Sequence, residues 1–147
     1  MFFEIKLLVQ SGSGGPFGAV VVLKGDIIAE GVNQVTSRND PTAHAEVLAI
    51  RQACAKLGTF ELAGCELYTS CEPCPMCLGA IYWARLERVY YANTAADAAA
   101  IGFDDSLIYT ELNAPHAERS IPAVQMMREE ALAAFRAWAE KPDKIPY

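Results

Sequence analysis

Residues 69–80 read TSCEPCPMCLGA and carry three thiols, Cys71, Cys74 and Cys77. They form two overlapping C-x-x-C frames, CEPC and CPMC, which share Cys74. Thiols so spaced do metal or redox chemistry. Zinc favours four donors: all four come from the protein in a structural site, three in a catalytic one that keeps a position for water or substrate. The imidazole that would complete either set is His44, which stands with Glu46 in the triplet HAE. The other histidine, His116, reads as a surface loop residue.

The elements around these residues decide between the frames. DPTAHAEVLAIRQACAKLG reads as a helix, with Asp40 as its cap, Pro41 in its first position and Gly58 after its last turn. Val47, Leu48, Ile50, Cys54 and Leu57 recur at helical spacing and mark its buried side. His44 and Glu46 lie near its entrance, where residues two apart can look past the helix end towards one point, and where the dipole favours an anion. PMCLGAIYWARL is a second helix opened by Pro75, so Cys74 precedes its first residue and Cys77 lies in its opening turn. Helix starts lower thiol pKa values and offer backbone N–H groups to the sulfurs. Cys71 belongs instead to the end of the strand CELYTS, beyond Glu72-Pro73. The geometry therefore favours CPMC with His44, an open site. The rival is a closed knot of Cys71, Cys74, Cys77 and His44, a legitimate structural zinc set. Glu46 argues against the knot, because hydrolytic zinc needs a proton carrier and a structural staple does not. A bare redox pair has no use for the distant HAE.

The rest of the chain supplies a scaffold. GGPFGAVVVLKGDIIAEGVNQ reads as two strands joined through Gly25-Asp26. RVYYA is a strand, ADAAAIG a helical turn or two, and GFDDS irregular. The last helix is expected from Pro122 to Glu140, with Val124, Met127, Ala131, Leu132, Phe135 and Trp138 on its apolar side and KPDKIPY trailing. A hairpin followed by α-β-α-β-α predicts a mixed sheet covered by helices on both faces, an α/β protein of three layers. The opening MFFEIKLLVQSGSGG has room for barely two helical turns before its glycines and is as readily strand-like. Cys54 and Cys65 are expected in packing.

A chain of 147 residues, 52% hydrophobic and 20% charged, suits one domain with a real core. Its apolar runs are too short to span a bilayer and it opens with no signal-peptide pattern, so it reads as soluble and cytoplasmic. Eighteen acidic residues against twelve basic give a net charge of −6. Nucleic acid is usually met by a basic face, so this balance points away from it and towards a small ligand.

PTAHAE followed by CEPCPMC resembles the zinc-dependent cytidine deaminase-like superfamily, for which H-x-E with P-C-x-x-C is an established signature. GGPFGAV, NDPTAHAE, SCEPCPMCLGAIYWAR, GFDDS and the terminal tyrosine are similar to the bacterial guanine deaminase branch, across Gly14 to Tyr147. The resemblance implies the superfamily's three-layer α/β/α sandwich and hydrolysis of guanine to xanthine and ammonia. It implies Zn2+ on His44, Cys74 and Cys77, with Glu46 carrying protons. It sets Asn33, the backbone of Ala45, Asp105 and Phe17 around the purine, with His44 offering ring contact. It further implies a homodimer whose C-terminal segment, about 120–147, is exchanged between subunits, so that Tyr147 closes the partner's pocket and Trp83 contributes across the dimer. The first fifteen residues depart from that branch, which usually has a full first helix there.

Each of these residues also has a plainer role. Phe17 is equally a core aromatic of the first strand, Asn33 a strand end, and Trp83 a core residue of an apolar helix. Asp104-Asp105-Ser106 is equally a solvated turn or cap, and Tyr147 a loose chain end. Cys71 and Glu72 are expected beside the metal or in packing. As a purine reader, Asp105 would accept hydrogen bonds from the N1–H and amino edge of guanine, where adenine presents an acceptor at N1. The alternative activities are those of a tRNA adenosine deaminase, which calls for a basic surface, and of a cytosine or cytidine deaminase, whose smaller pocket does not call for GFDDS. A zinc-stapled structural module is the alternative outside enzymes.

Overall fold

The computed structural model describes Gln10, Gly12 and residues 14–147. The opening segment, read as barely two helical turns or a strand, lies outside the described residues. The described strands form one mixed sheet in the order β2-β1-β3-β4. β1 (Gly18–Leu23) pairs antiparallel with β2 (Asp26–Val32) and with β3 (Cys65–Cys71), and β3 pairs parallel with β4 (Arg88–Asn93). This is the α/β architecture with a mixed sheet that the element order predicts.

The hairpin turns at Lys24-Gly25, one residue earlier than Gly25-Asp26. Both residues have positive φ, 52° and 90°, and Leu23 faces Asp26 across the turn. Positive φ at both central positions is the type I′ geometry that matches strand twist, and glycine takes it without strain. The register shifts between Val21 and Val22, a local irregularity of β1 against β2.

α1 (Val35–Arg38) is a single turn after β2 that the sequence reading did not anticipate. α2 (Ala45–Leu57) starts at Ala45, with His44 as its N-cap, several residues later than Asp40-Pro41. The reason is local. Asp40 Oδ1 accepts from the N–H and hydroxyl of Thr42 at 2.8 and 2.7 Å, and Ala43 N–H donates to the Asp40 carbonyl, so 40–43 close a turn of their own. Gly58 ends α2 in the left-handed conformation, as expected.

The buried side of α2 also differs from the expected stripe. Ala45, Ala49 and Ala53 are fully buried and Val47 and Ile50 nearly so, whereas Leu48 is half-buried and Leu57 exposed. The alanines let α2 lie close on the sheet at Gly31 of β2. A Cβ on Gly31 would collide with the Ala45 carbonyl oxygen and stand 2.7 Å from Ala49 N. Leu62, Leu67, Val21 and Cys65 complete the core beneath, with Cys54 packed against it, as expected for both cysteines.

α3 (Pro75–Trp83) joins β3 to β4, the kind of crossover that parallel pairing requires. α4 (Ala95–Ala100) opens with a reciprocal capping box between Thr94 and Asp97. α5 (Ser106–Asn113), absent from the sequence reading, follows GFDDS, and His116 lies exposed in a 3-10 turn, His116–Glu118. α6 runs over Arg128–Glu140 rather than from Pro122. Met127 before it has φ +53°, which breaks a helix, and Glu129 and Glu130 favour an N-terminus at that point. The described residues fall into two compact units, one ending at Ser106 and one from Leu107 to Tyr147. Among the described residues, no helix is long and apolar enough to cross a membrane.

Candidate metal and active site

The two helix starts bring the chemistry together. His44 is the N-cap of α2, in extended conformation, and Glu46 is its second residue. Cys74 is the N-cap of α3, also extended, Pro75 takes the first position and Cys77 the third. His44 Nδ1 lies 3.5 Å from both Cys74 Sγ and Cys77 Sγ, and Cys77 Sγ lies 3.4 Å from Glu46 Oε2. The donor atoms of His44, Cys74 and Cys77 all fall within 4.8 Å of one another, the one such His/Cys/Asp/Glu group among the described residues.

Cys71 is not in that group. Its Sγ donates to the Thr94 carbonyl at 3.5 Å, and burial raises its pKa. Glu72 accepts from Ala95 N–H at 3.0 Å. Both serve the packing beside the site, as expected, and the closed four-ligand knot loses its fourth member.

The electrostatics fit a divalent cation. Donation from the Cys77 thiol stabilises the Cys74 thiolate and lowers its pKa, while the same bond and burial raise that of Cys77. The protein's own groups thus favour one ionised sulfur of the two. A divalent cation held by this group would let both ionise, and one imidazole with two thiolates is a donor set suited to zinc. Glu46 is buried, at 6% exposure, and desolvation raises its carboxyl pKa, a property suited to a group that must take and return protons.

The family model of the cytidine and deoxycytidylate deaminase zinc-binding region matches residues 4–93, more than half of the chain. The chain belongs to this deaminase family. Zinc is the cofactor of the deaminase, and the converging imidazole and thiols lie within the matched zinc-binding region. The deaminase is 60% identical to the guanine deaminase of Bacillus subtilis (strain 168) over 139 residues, 95% of this chain and 89% of the relative. The crystal structure of guanine deaminase from Bacillus subtilis superposes with a TM-score of 0.95 at 57% identity, covering 99% of this chain and 93% of that one. A tRNA-specific adenosine deaminase from Aquifex aeolicus is 49% identical over 89 residues, but that match covers only 60% of this chain and 58% of the relative.

The remaining candidates sit as follows in the deaminase. Asn33 is buried at the end of β2. Its N–H donates to the Phe17 carbonyl, and its Oδ1 accepts from Gly15 and Val35 N–H at 3.3 Å each. Gln34 N–H, next along, donates to the Ala43 carbonyl, which ties this strand end to the turn before His44. Ala45 is fully buried as the first residue of α2. Phe17 is half-buried and meets Phe103 edge-to-face, with ring centroids 4.9 Å apart at 89°. That contact brings GFDDS against the entrance of β1. Asp105 is half-buried; desolvation first, and then negative charge at Cys74, raises its pKa, so it shares the electrostatic surroundings of the metal group.

The expectation of a buried core residue fails for Trp83. As the last residue of α3 it is 68% exposed. Tyr147 is an exposed residue of the second unit. Phe103 passed unremarked in the sequence; an aromatic directly before an acidic pair in an irregular stretch was the available signal.

Proposed function

We propose that this deaminase is a guanine deaminase, a cytoplasmic hydrolase of cyclic amidines that converts guanine and water to xanthine and ammonia. The observation that carries the reading is the near-full-length likeness to guanine deaminase, in a chain whose buried Glu46 adjoins the His44, Cys74 and Cys77 group. His44, Cys74 and Cys77 would hold the zinc. Zinc, when bound, supplies the Lewis acidity that makes water nucleophilic near neutral pH. Glu46 accepts a proton from the attacking water and delivers one to a ring nitrogen, which makes carbon 2 of guanine more electrophilic. As the carbon–nitrogen bond to the exocyclic amine breaks, Glu46 takes the proton of the new carbon 2 hydroxyl and gives it to the departing amine, which leaves as ammonia while the carbonyl forms. One carboxylate thus acts first as base and then as acid.

In this reading Asp105 accepts from the N1–H and amino edge of guanine, and Phe17 packs against the purine ring. With its Oδ1 held by Gly15 and Val35, Asn33 has its amide N–H2 group left to meet an acceptor of the base. The backbone of Ala45 adds a further polar contact, and His44 a ring contact. A base with the wrong edge leaves such groups unpaired at about 1–3 kcal/mol each.

The chain is one deaminase domain that acts as a homodimer and exchanges its segment 120–147, so that Trp83 and Tyr147 complete the partner's pocket. The apolar surface of the chain supports a partner. α6 has no buried residue, Phe135 and Trp138 on it are exposed, and so are Tyr82 and Trp83 on α3. Ammonia release from guanine, adenine, cytosine, cytidine and guanosine, with metal analysis on the same sample, tests the reading. Guanine is expected to be the preferred substrate at one zinc per chain. Preference for cytosine or cytidine overturns it, and ammonia from none of the five returns the fold to a zinc-stapled module.

A further inference from the structure

The first of the two C-x-x-C frames adds no donor to the metal group beyond the shared Cys74, yet both of its leading residues are engaged. Cys71 and Glu72 lie along the stretch that leads into α4. Glu72 N–H donates to the Asn93 carbonyl at 2.8 Å, Cys71 Sγ donates to the Thr94 carbonyl at 3.5 Å, and Glu72 Oε2 accepts from Ala95 N–H at 3.0 Å. Ala95 is the first residue of α4, and its N–H is one that the helix itself leaves unsatisfied. The Thr94–Asp97 capping box satisfies the N–H groups of Thr94 and Asp97, and the Glu72 carboxylate takes that of Ala95, beside the contact of Cys71 with the N-cap carbonyl.

The other end of α4 carries GFDDS. Ala98 accepts from both Ile101 and Phe103 N–H, at 3.1 and 3.0 Å, so the turn after α4 is fixed to the helix. Gly102 in that turn has φ +93°, a conformation that favours glycine. Phe103 then meets Phe17, and Asp105 follows. A continuous run of hydrogen bonds and one ring contact therefore leads from Glu72, two residues before Cys74, to the side chains read above as purine contacts.

We propose that Glu72 is a positioning residue for substrate recognition: by holding Ala95 it sets α4, and with it Phe103 and Asp105, at a fixed place relative to the metal loop. The inference rests on the reading of Phe17 and Asp105 as purine contacts. Glu72 touches no reacting atom. Its carboxylate is useful as an acceptor at the helix start, a role that glutamine can also fill.

The test compares zinc-loaded full-length protein with Glu72→Ala and Glu72→Gln, using steady-state guanine turnover, zinc content and amide hydrogen exchange. In Glu72→Ala the loss of one charge-assisted hydrogen bond is expected to raise KM for guanine by about tenfold. Turnover at saturation and zinc content should stay near those of the parent. Amides of 95–103 should exchange faster while those of α3 do not. Glu72→Gln should restore both KM and exchange. The inference is overturned if Glu72→Ala leaves KM and exchange unchanged, if it loses zinc, or if Glu72→Gln is as impaired as Glu72→Ala, which would assign the effect to charge rather than to the hydrogen bond. Should the parent protein itself release no ammonia from guanine, the functional reading fails separately, and the exchange comparison still decides whether Glu72 holds α4.

Discussion

Burial at the opening of α2 does two things to Glu46: it raises the proton affinity of the carboxyl, and it sets Oε2 3.4 Å from Cys77 Sγ. A carboxylate in such surroundings exchanges protons with its neighbours more readily than one on the surface. It is not one of the three converging donors, so the proposed mechanism gives metal binding and proton transfer to separate side chains. Glu46→Ala is therefore expected to keep zinc at one per chain and to lose at least about 100-fold in turnover of guanine, the low end for a general acid–base group. Metal analysis beside the rate assay checks both halves. Retained turnover would hand the proton transfer to another group, and lost zinc would make Glu46 part of the metal's own shell.

The metal group is assembled by two helix starts whose placement depends on how closely α2 lies on the sheet. Gly31 permits that approach, since any Cβ there meets the backbone of Ala45 and Ala49. The fully buried Ala45, Ala49 and Ala53 present nothing larger than a methyl on the same face. Gly31→Ala forces either the strand or the helix to move, a strain of about 1–3 kcal/mol typical of overpacking. Because His44 and Glu46 ride on the moving end of α2, the substitution is expected to lower both stability and turnover. Denaturant unfolding of the zinc-loaded protein and a rate assay on the same preparation measure it. Parental values in both would mean that the helix has slack at this point.

At the scale of the whole molecule, the unit ending at Ser106 holds the sheet, its buried core and the metal group, while the unit from Leu107 to Tyr147 has no fully buried residue among those described. Apolar side chains such as Ile121, Val124 and Phe135 stay more than 70% exposed on the single chain. A surface of this kind calls for a covering partner, which the proposed homodimer supplies. Deleting Ile145 to Tyr147 is expected to weaken guanine turnover while leaving the thermal unfolding of the domain near that of the parent. An unchanged rate would remove the chain's end from the site. A mass in solution equal to one chain would remove the homodimer with it.

The two converging thiols and their helix start were legible in the sequence because both obey local rules. A proline after Cys74 and a short C-x-x-C spacing are enough to put two sulfurs at one helix opening, and no distant contact is needed to make them coincide. The pairing with HAE was legible because the helix that follows it is strongly periodic. The point where that helix begins was less so, since Asp40 could cap a helix or close a turn, and only the bonds to Thr42 distinguish the two. The exclusion of Cys71 from the metal group, the approach of α2 at Gly31 and the contact of Phe17 with Phe103 were decided by tertiary structure alone. Each depends on how elements distant in the chain pack, and residue spacing along one element carries no record of the distance to another.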